Sequence, residues 1–295
     1  MKRLILAAIL LGTAGCGGDP ATRVIDGIEA SYSKEGRLDA ITINFDDDGN
    51  ARLWAGKRRG IIVRDGQDYL MNERRVAIDK TKYKMEPVAA LRGDVMAALS
   101  ALADAQRKRV EQAEAAAKAS GELRPDGTRV VRLYDGREML ITPPPVVTFQ
   151  VVPVGTEEVG GRSGKVWRLS AVGDPRPNGL EAVMSSDPEL AQVGRLIRMH
   201  MAPADVAALE PEGTRRNLAK AAAELFGKGT LLRLSVRGEA GQTMELYRLQ
   251  RFGPASFRGA VLMLPATVRD RKTLREDLKV LTPVEDDSPM RGVRH

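Results

Sequence analysis

Apolar and polar positions alternate with a period of two from residue 38, where Ile41, Ile43 and Phe45 are interleaved with Thr42 and Asn44. One face of such a segment is apolar, which predicts a half-buried β-strand. Asp46-Asp47-Asp48-Gly49-Asn50 is turn chemistry, and strands are expected at 52–56 and 60–64. Asp65-Gly66 then turns the chain into 67–72, with a short strand at 76–79. At Pro87 the period changes: Val88, Leu91, Val95, Leu99 and Leu102 recur at helical spacing. Pro in a first turn and Gly121 as a stop predict a helix over 88–120, its second half solvated. Asp135-Gly136 joins 130–134 to 137–141, the strongest hairpin signal in the chain. Strands at 146–152, 165–172 and 180–184 follow, the last two as an antiparallel pair. Ser186-Asp187-Pro188 opens a helical pattern that runs to Met201, resumes at 205–209 and returns at 214–226. Leu232, Leu234 and Val236 alternate with polar neighbours and are expected to pair with 244–252.

About nine to eleven strands result. A sheet of that size tends to curl, so the expected fold is α+β: a curved antiparallel β-sheet, as a half-barrel, with helices on its concave face. Residues 24–270 form the single domain, helix 88–120 is an insertion, and 271–295 read as a mobile charged tail.

Composition narrows the chemistry. The only cysteine in 295 residues is Cys16. Lys2 and Arg3, an apolar run over 4–11 and Gly12-Thr13-Ala14-Gly15 precede it, the layout of a secretory signal peptide. The run is too short to span a bilayer, which takes about 20 residues. Small residues before a lone Cys resemble a lipobox, with Thr13 where Leu is usual. The expectation is a signal peptide over 1–15, lipidation at Cys16, and a tether over 16–23. Gly17 rather than Asp after Cys16 points to the periplasmic face of the outer membrane. Removing 1–15 leaves 280 residues and lowers the formal charge from +7 to +5. That charge is dispersed in isolated pairs such as Arg58-Arg59 and Arg74-Arg75, with few aromatics, so no nucleic-acid partner is expected. An acylated sole cysteine excludes a disulfide, and burial must hold the fold.

Several motifs fail on spacing. Residues 44–49 match the first half of a calcium loop, but Ala55 stands where its bidentate Glu belongs. Gly160-Gly161-Arg162-Ser163-Gly164-Lys165 lacks the first glycine of a phosphate loop and has Val166 in place of its hydroxyl. Ser31-Tyr32-Ser33-Lys34 lacks the partner motifs of penicillin-recognising enzymes. His200 is the only histidine besides His295 and sits at a helix end, where a cationic form would meet the negative end of the dipole. Glu157-Glu158 has no sugar-stacking aromatics nearby, and Trp54 and Trp167 read as core. No catalytic residue, metal site or cofactor is therefore expected.

The stretch from Gly155-Thr156-Glu157-Glu158-Val159-Gly160-Gly161 to Trp167 resembles a turn-and-strand segment of some periplasmic proteins. A second strand at 180–190, the meander 51–78 and Pro254-Ala255-Ser256-Phe257 match the same pattern. That periplasmic family, a domain of unknown function, is similar to the Lol-type outer-membrane lipoprotein carriers. The resemblance implies a half-barrel whose helix-covered cavity takes an acyl chain, and it supplies no catalytic residues. Alternation would turn Ile41, Ile43, Phe45, Trp167, Leu169, Leu232 and Leu234 towards such a ligand, faced by Leu196, Met199 and Met201 of a helix. The expected function is a non-enzymatic lipoprotein held in the membrane by acylated Cys16. It would bind a lipid or a partner's apolar segment between sheet and helices. The alternative is an envelope scaffold acting through its surface on a protein partner, and a hydrolase without a visible motif is a third reading.

Overall fold

A computed structural model of the chain describes residues 19–35, 37–56, 59–77, 82–174, 179–201, 213–238 and 241–281. A first meander holds β1 (Val24–Lys34), β2 (Arg37–Phe45), β3 (Ala51–Ala55), β4 (Arg59–Arg64), β5 (Gln67–Ala77) and β6 (Tyr83–Leu91). Helix α1 (Arg92–Ala119) and a separate hairpin, β7 (Arg129–Arg132) with β8 (Glu138–Ile141), lead out of it. The second meander is β9 (Phe149–Val159), β10 (Arg162–Ala171), β11 (Gly179–Ser185), β12 (Thr230–Arg237) and β13 (Thr243–Arg258). Helices α2 (Ala191–Met201) and α3 (Thr214–Phe226) lie between β11 and β12 in sequence. Strand β14 (Thr267–Arg269) and helix α4 (Arg271–Leu281) follow.

Twelve strands form one curved sheet in the order β14-β6-β5-β4-β3-β2-β1-β13-β12-β11-β10-β9. Every neighbour pair is antiparallel except β14 with β6. The two meanders join where β1 pairs with β13, from Val24↔Arg258 to Lys34↔Tyr247. Strand outweighs helix, 48% against 29%, so the balance lies further towards β than the α+β expectation.

Helices cover one face. The register aligns Ala30 with Ile43 and Ile43 with Leu53, and these join Leu232 and Leu234 in one buried cluster with Leu196, Ile197 and Leu225 from α2 and α3. Tyr32 is wholly buried in it and donates its hydroxyl to the Leu231 carbonyl at 2.7 Å, so its pKa is pushed up by burial. The opposite face is polar over β9–β13, where Arg233 reaches Glu157 at 2.7 Å and Glu181 at 3.1 Å. Over β4–β6 that second face carries its own small core of Ile62, Met71 and Ala89, with Trp54 packed against it.

The loops behave as their sequences imply. Asp46 accepts the Asn50 amide N–H at 2.9 Å and its side-chain NH2 at 3.0 Å, which makes 46–50 a hairpin turn. Gly160 and Gly161 both have positive φ, 59° and 74°, as a two-residue hairpin loop requires. Asp187 caps the 3-10 turn Pro188–Leu190, accepting from the Glu189 N–H at 3.0 Å, and α2 follows. α3 has the bounds expected from its pattern.

Three expectations need correction. Pro87 lies inside β6, and the helix placed at 88–120 begins only at Arg92. Proline is tolerated there because β6 is nearly an edge, with β14 pairing only Val88, Ala89 and Ala90. The supposed tail 271–295 begins as helix α4, which packs on α1. The tether 16–23 is docked at its end, since Ala21 and Arg23 carbonyls accept from Ala260 and Gly259 at 3.1 and 2.7 Å. The helical pattern at 205–209 lies outside the described residues.

Candidate functional site

Strands β4, β5 and β6 put two rows of side chains on the helix-covered face. Arg59↔Asn72↔Val88 is one row, and Ile61↔Leu70↔Ala90↔Arg269 is the next. Arg74 stands two residues beyond Asn72 on β5 and so faces the same way. Above these rows the helices leave a gap, which α2 reaches only with its last turn. Val95 of α1, Met199 and His200 from the last turn of α2, and Leu274 of α4 surround the gap. The result is a cleft of about 810 Å³, partly open to solvent. That is within the roughly 300–1,000 Å³ usual for small-molecule sites.

The cleft has an apolar floor and a basic margin. Ile61, Leu70, Val88 and Ala90 supply the floor, while Arg59, Arg74, Arg269 and Glu73 are the charged residues that line it among the described residues. His200 is half-buried, and its pKa is lowered first by that burial and then by the positive charges of Lys34 and Arg59. Its imidazole is thus neutral at pH 7, not the cation expected at a helix C-terminus. No serine, cysteine or aspartate among the described residues lines the cleft. Among the described residues no cluster of metal-ligating side chains occurs, and no helix is long and apolar enough to cross a membrane.

The ten residues picked out by alternation do come together. Ile41, Ile43, Leu169, Leu196, Leu232 and Leu234 are buried in the main core, with Phe45, Trp167, Met199 and Met201 packed against it. They are packed on one another rather than on an open space, and of the ten only Met199 lines the cleft. Trp167 is also flanked by two ammonium groups, Lys165 at 4.8 Å and Lys228 at 4.9 Å from its ring centroid. Trp54 lies on the other face, over Gly60, where a Cβ would meet its ring at 2.7 Å. Cys16 lies outside the described residues.

Arg59, Arg74 and Arg269 were not visible as site residues in the sequence, where arginine pairs read as solvated. A signal was there nonetheless. Arg59 shares the period-two face of Ile61 and Val63, and Arg74 that of Leu70, so these cations sit in line with core positions.

These features define a mostly β protein with one helix-covered sheet and a basic-rimmed apolar cleft. No family model matches the chain, and no curated protein matches it significantly. Among solved structures it is similar to MucB, at 12% identity and a TM-score of 0.25, over 87% of this chain and 57% of that one. MucB in complex with MucA(peri) gives 12% identity and 0.25, over 84% and 55%. The Pseudomonas aeruginosa MucA/MucB complex gives 12% and 0.28, over 86% and 56%. The chain thus spans a little over half the length of these matched chains.

Proposed function

We propose that the protein is a non-enzymatic lipoprotein of the cell envelope, tethered through acylated Cys16 to the periplasmic face of the outer membrane. Its cleft over β4–β6 takes up an acyl chain or a partner's apolar segment. The observation that carries this reading is the cleft itself: apolar at its floor, bordered by residues of three helices and left unfilled by the side chains of the described residues. The lipobox-like run before Cys16 supports the anchor, and the resemblance to Lol-type carriers supports a half-barrel with helices in its concavity. The described lining supports binding rather than catalysis, since among the described residues it offers an imidazole whose pKa is lowered and Glu73 but no serine, threonine or cysteine beside either. The magnitudes suit a chain-shaped ligand. Burying ten methylenes gains roughly 8 kcal/mol at ~0.8 kcal/mol each. Association costs roughly 4–15 kcal/mol, so about five methylenes offset only the lower end of that range and a longer chain is needed for net binding.

A second reading, an envelope scaffold acting through its surface, is favoured by the filled core under α2 and α3, where Leu196, Leu232 and Ile43 are fully buried. Native mass spectrometry of protein purified from membranes separates the two. A lipid adduct that disappears in Val95→Trp, which fills the cleft from α1, supports the cleft. Wild-type protein free of adduct, and taking up no added C12 chain, supports the scaffold.

A further inference from the structure

We propose that β8 is a dimer contact, through which two copies of this chain join their two-stranded β7–β8 hairpins edge to edge into one antiparallel sheet. The hairpin is separate from the main sheet, and none of its residues lines the cleft. Met139, Leu140 and Ile141 alternate between its two faces and are 44, 51 and 45% exposed, so neither face is covered. A lone two-stranded sheet is marginal in water and is stabilised by further strands. One edge is already closed: Leu123 bridges Arg129, and Val130 donates its N–H to the Glu122 carbonyl at 2.8 Å. In an antiparallel pair, opposite residues either bond each other or both turn their backbone groups away. Val130 turns away from its partner Leu140, so Leu140 presents its own N–H and C=O to the other edge. Alternation gives Glu138 and Thr142 the same orientation. Among the described residues no strand pairs with that edge.

The sequence of β8 is complementary to itself, which points to a second copy as the occupant. A two-fold axis at Leu140 sets Leu140 against Leu140, Met139 against Ile141 and Glu138 against Thr142. Apolar side chains then meet apolar ones, and neither Glu138 faces its counterpart. Glu138 is also paired with Arg132 across the hairpin, at 3.4 Å. Pro144 stands at the next position that would need an edge N–H, so the pairing stops at Thr142. Over 122–141 arginines and carboxylates are equal in number, so charge gives the hairpin no preference for a polyanion or an anionic membrane. Strand β9, at the end of the main sheet, is guarded by contrast. The Val172 N–H donates to the Thr148 carbonyl, so alternation turns Phe149, Val151 and Pro153 outward, and Pro153 has no N–H to offer. The register also shifts beside it, at Val166 and Trp167. Proline and a bulge both blunt an edge, and β8 has neither between 138 and 142.

The test uses the mature protein, expressed from residue 16 with Cys16→Ser and followed by sedimentation equilibrium over a wide concentration range. It should be a monomer when dilute and a dimer when concentrated, since so short a contact falls below the roughly 1,200 Å² of a stable interface. Leu140→Pro removes the central edge N–H without touching a bond inside the hairpin. By symmetry two hydrogen bonds are lost, so the dimer should weaken about tenfold or more, with an unchanged circular dichroism spectrum. Leu140→Cys, then the sole cysteine, should form an intermolecular disulfide under mild oxidation. Hydrogen-bonded partners stand about 5.5 Å apart at Cα, which a disulfide can span. Gln150→Cys on β9 should not cross-link. A protein that stays monomeric at every concentration overturns the proposal. So does a dimer that Leu140→Pro leaves intact, or one that cross-links through position 150 and not through 140.

Discussion

His200 shows how a single side chain takes its charge from the fold. Helix position alone favours an imidazolium, yet burial and then the positive charges of Lys34 and Arg59 lower its pKa from the ordinary value of 6.5. An unfolded chain therefore takes up a proton near pH 6.5 that the folded one resists. Stability from this residue is fully present above pH 6.5 and falls as the pH drops through that value, because the unfolded state then binds more protons. His200→Gln should have a flatter stability profile between pH 7.5 and 5 than the wild type, measured as urea midpoints. Parallel profiles would show that His200 titrates as it does in water. The sequence shows the residue and its helix. It cannot show Lys34, which lies 166 positions away on β1.

At the scale of elements, α2 is the clearest joint between helix and sheet. It buries Val193, Gly194, Leu196 and Ile197 against β12, and Thr230 donates its hydroxyl to the Leu190 carbonyl at 2.9 Å. The helix approaches so closely that a Cβ on Gly194 would lie 2.2 Å from Thr230 Oγ1. Gly194→Ala should cost about 1–3 kcal/mol, the usual penalty for overpacking, read as a fall in melting temperature. Adding Thr230→Ala removes the clashing oxygen, so the double variant should be less destabilised than the sum of the single changes. Strict additivity would mean that the helix does not sit on Thr230. Local pattern was enough for α3 and for the existence of the β7–β8 hairpin. Arg132 pairs with Glu138 and the Leu133 N–H donates to the Arg137 carbonyl, however, so the loop is one residue longer than the two-residue turn read from Asp135-Gly136. Local pattern failed at β1, where Tyr32 is buried on the helix-covered face and Ser31 and Ser33 on the other, so apolar alternation gives only a weak signal. It failed again at β6, where apolar residues from Val88 onward run straight into α1 and mimic one helix.

For the whole molecule, the anchor and the cleft have to be considered together. Ala21 is already held against the turn at 259–262, five residues beyond Cys16, so an acylated Cys16 would have a reach of roughly 16–18 Å at ~3.3–3.6 Å per residue. Cys16→Ser should block acylation and release the protein from membranes in fractionation. A Cys16→Ser chain that is processed to the same mass and stays membrane-bound through salt washing would sink the lipoprotein reading. Three acyl chains on the wild type should resist such washing, since two or more anchor stably where one does not. The sequence by itself determined the period-two strands from Ile41 onward, the turns at 46–50, 65–66, 135–136 and 160–161, the cap at Asp187, and which apolar residues face inward. All of these depend on neighbours within a few positions. Tertiary structure decided the pairing of β1 with β13, in which Val24 meets Arg258, and the parallel addition of β14 beside β6. It also decided that α2 and α3 fill one part of the helix-covered face while another stays open between Arg59 and Arg269. Such contacts join residues up to more than 200 positions apart. Their formation depends on how much surface the completed sheet and helices bury together, a quantity no local window contains.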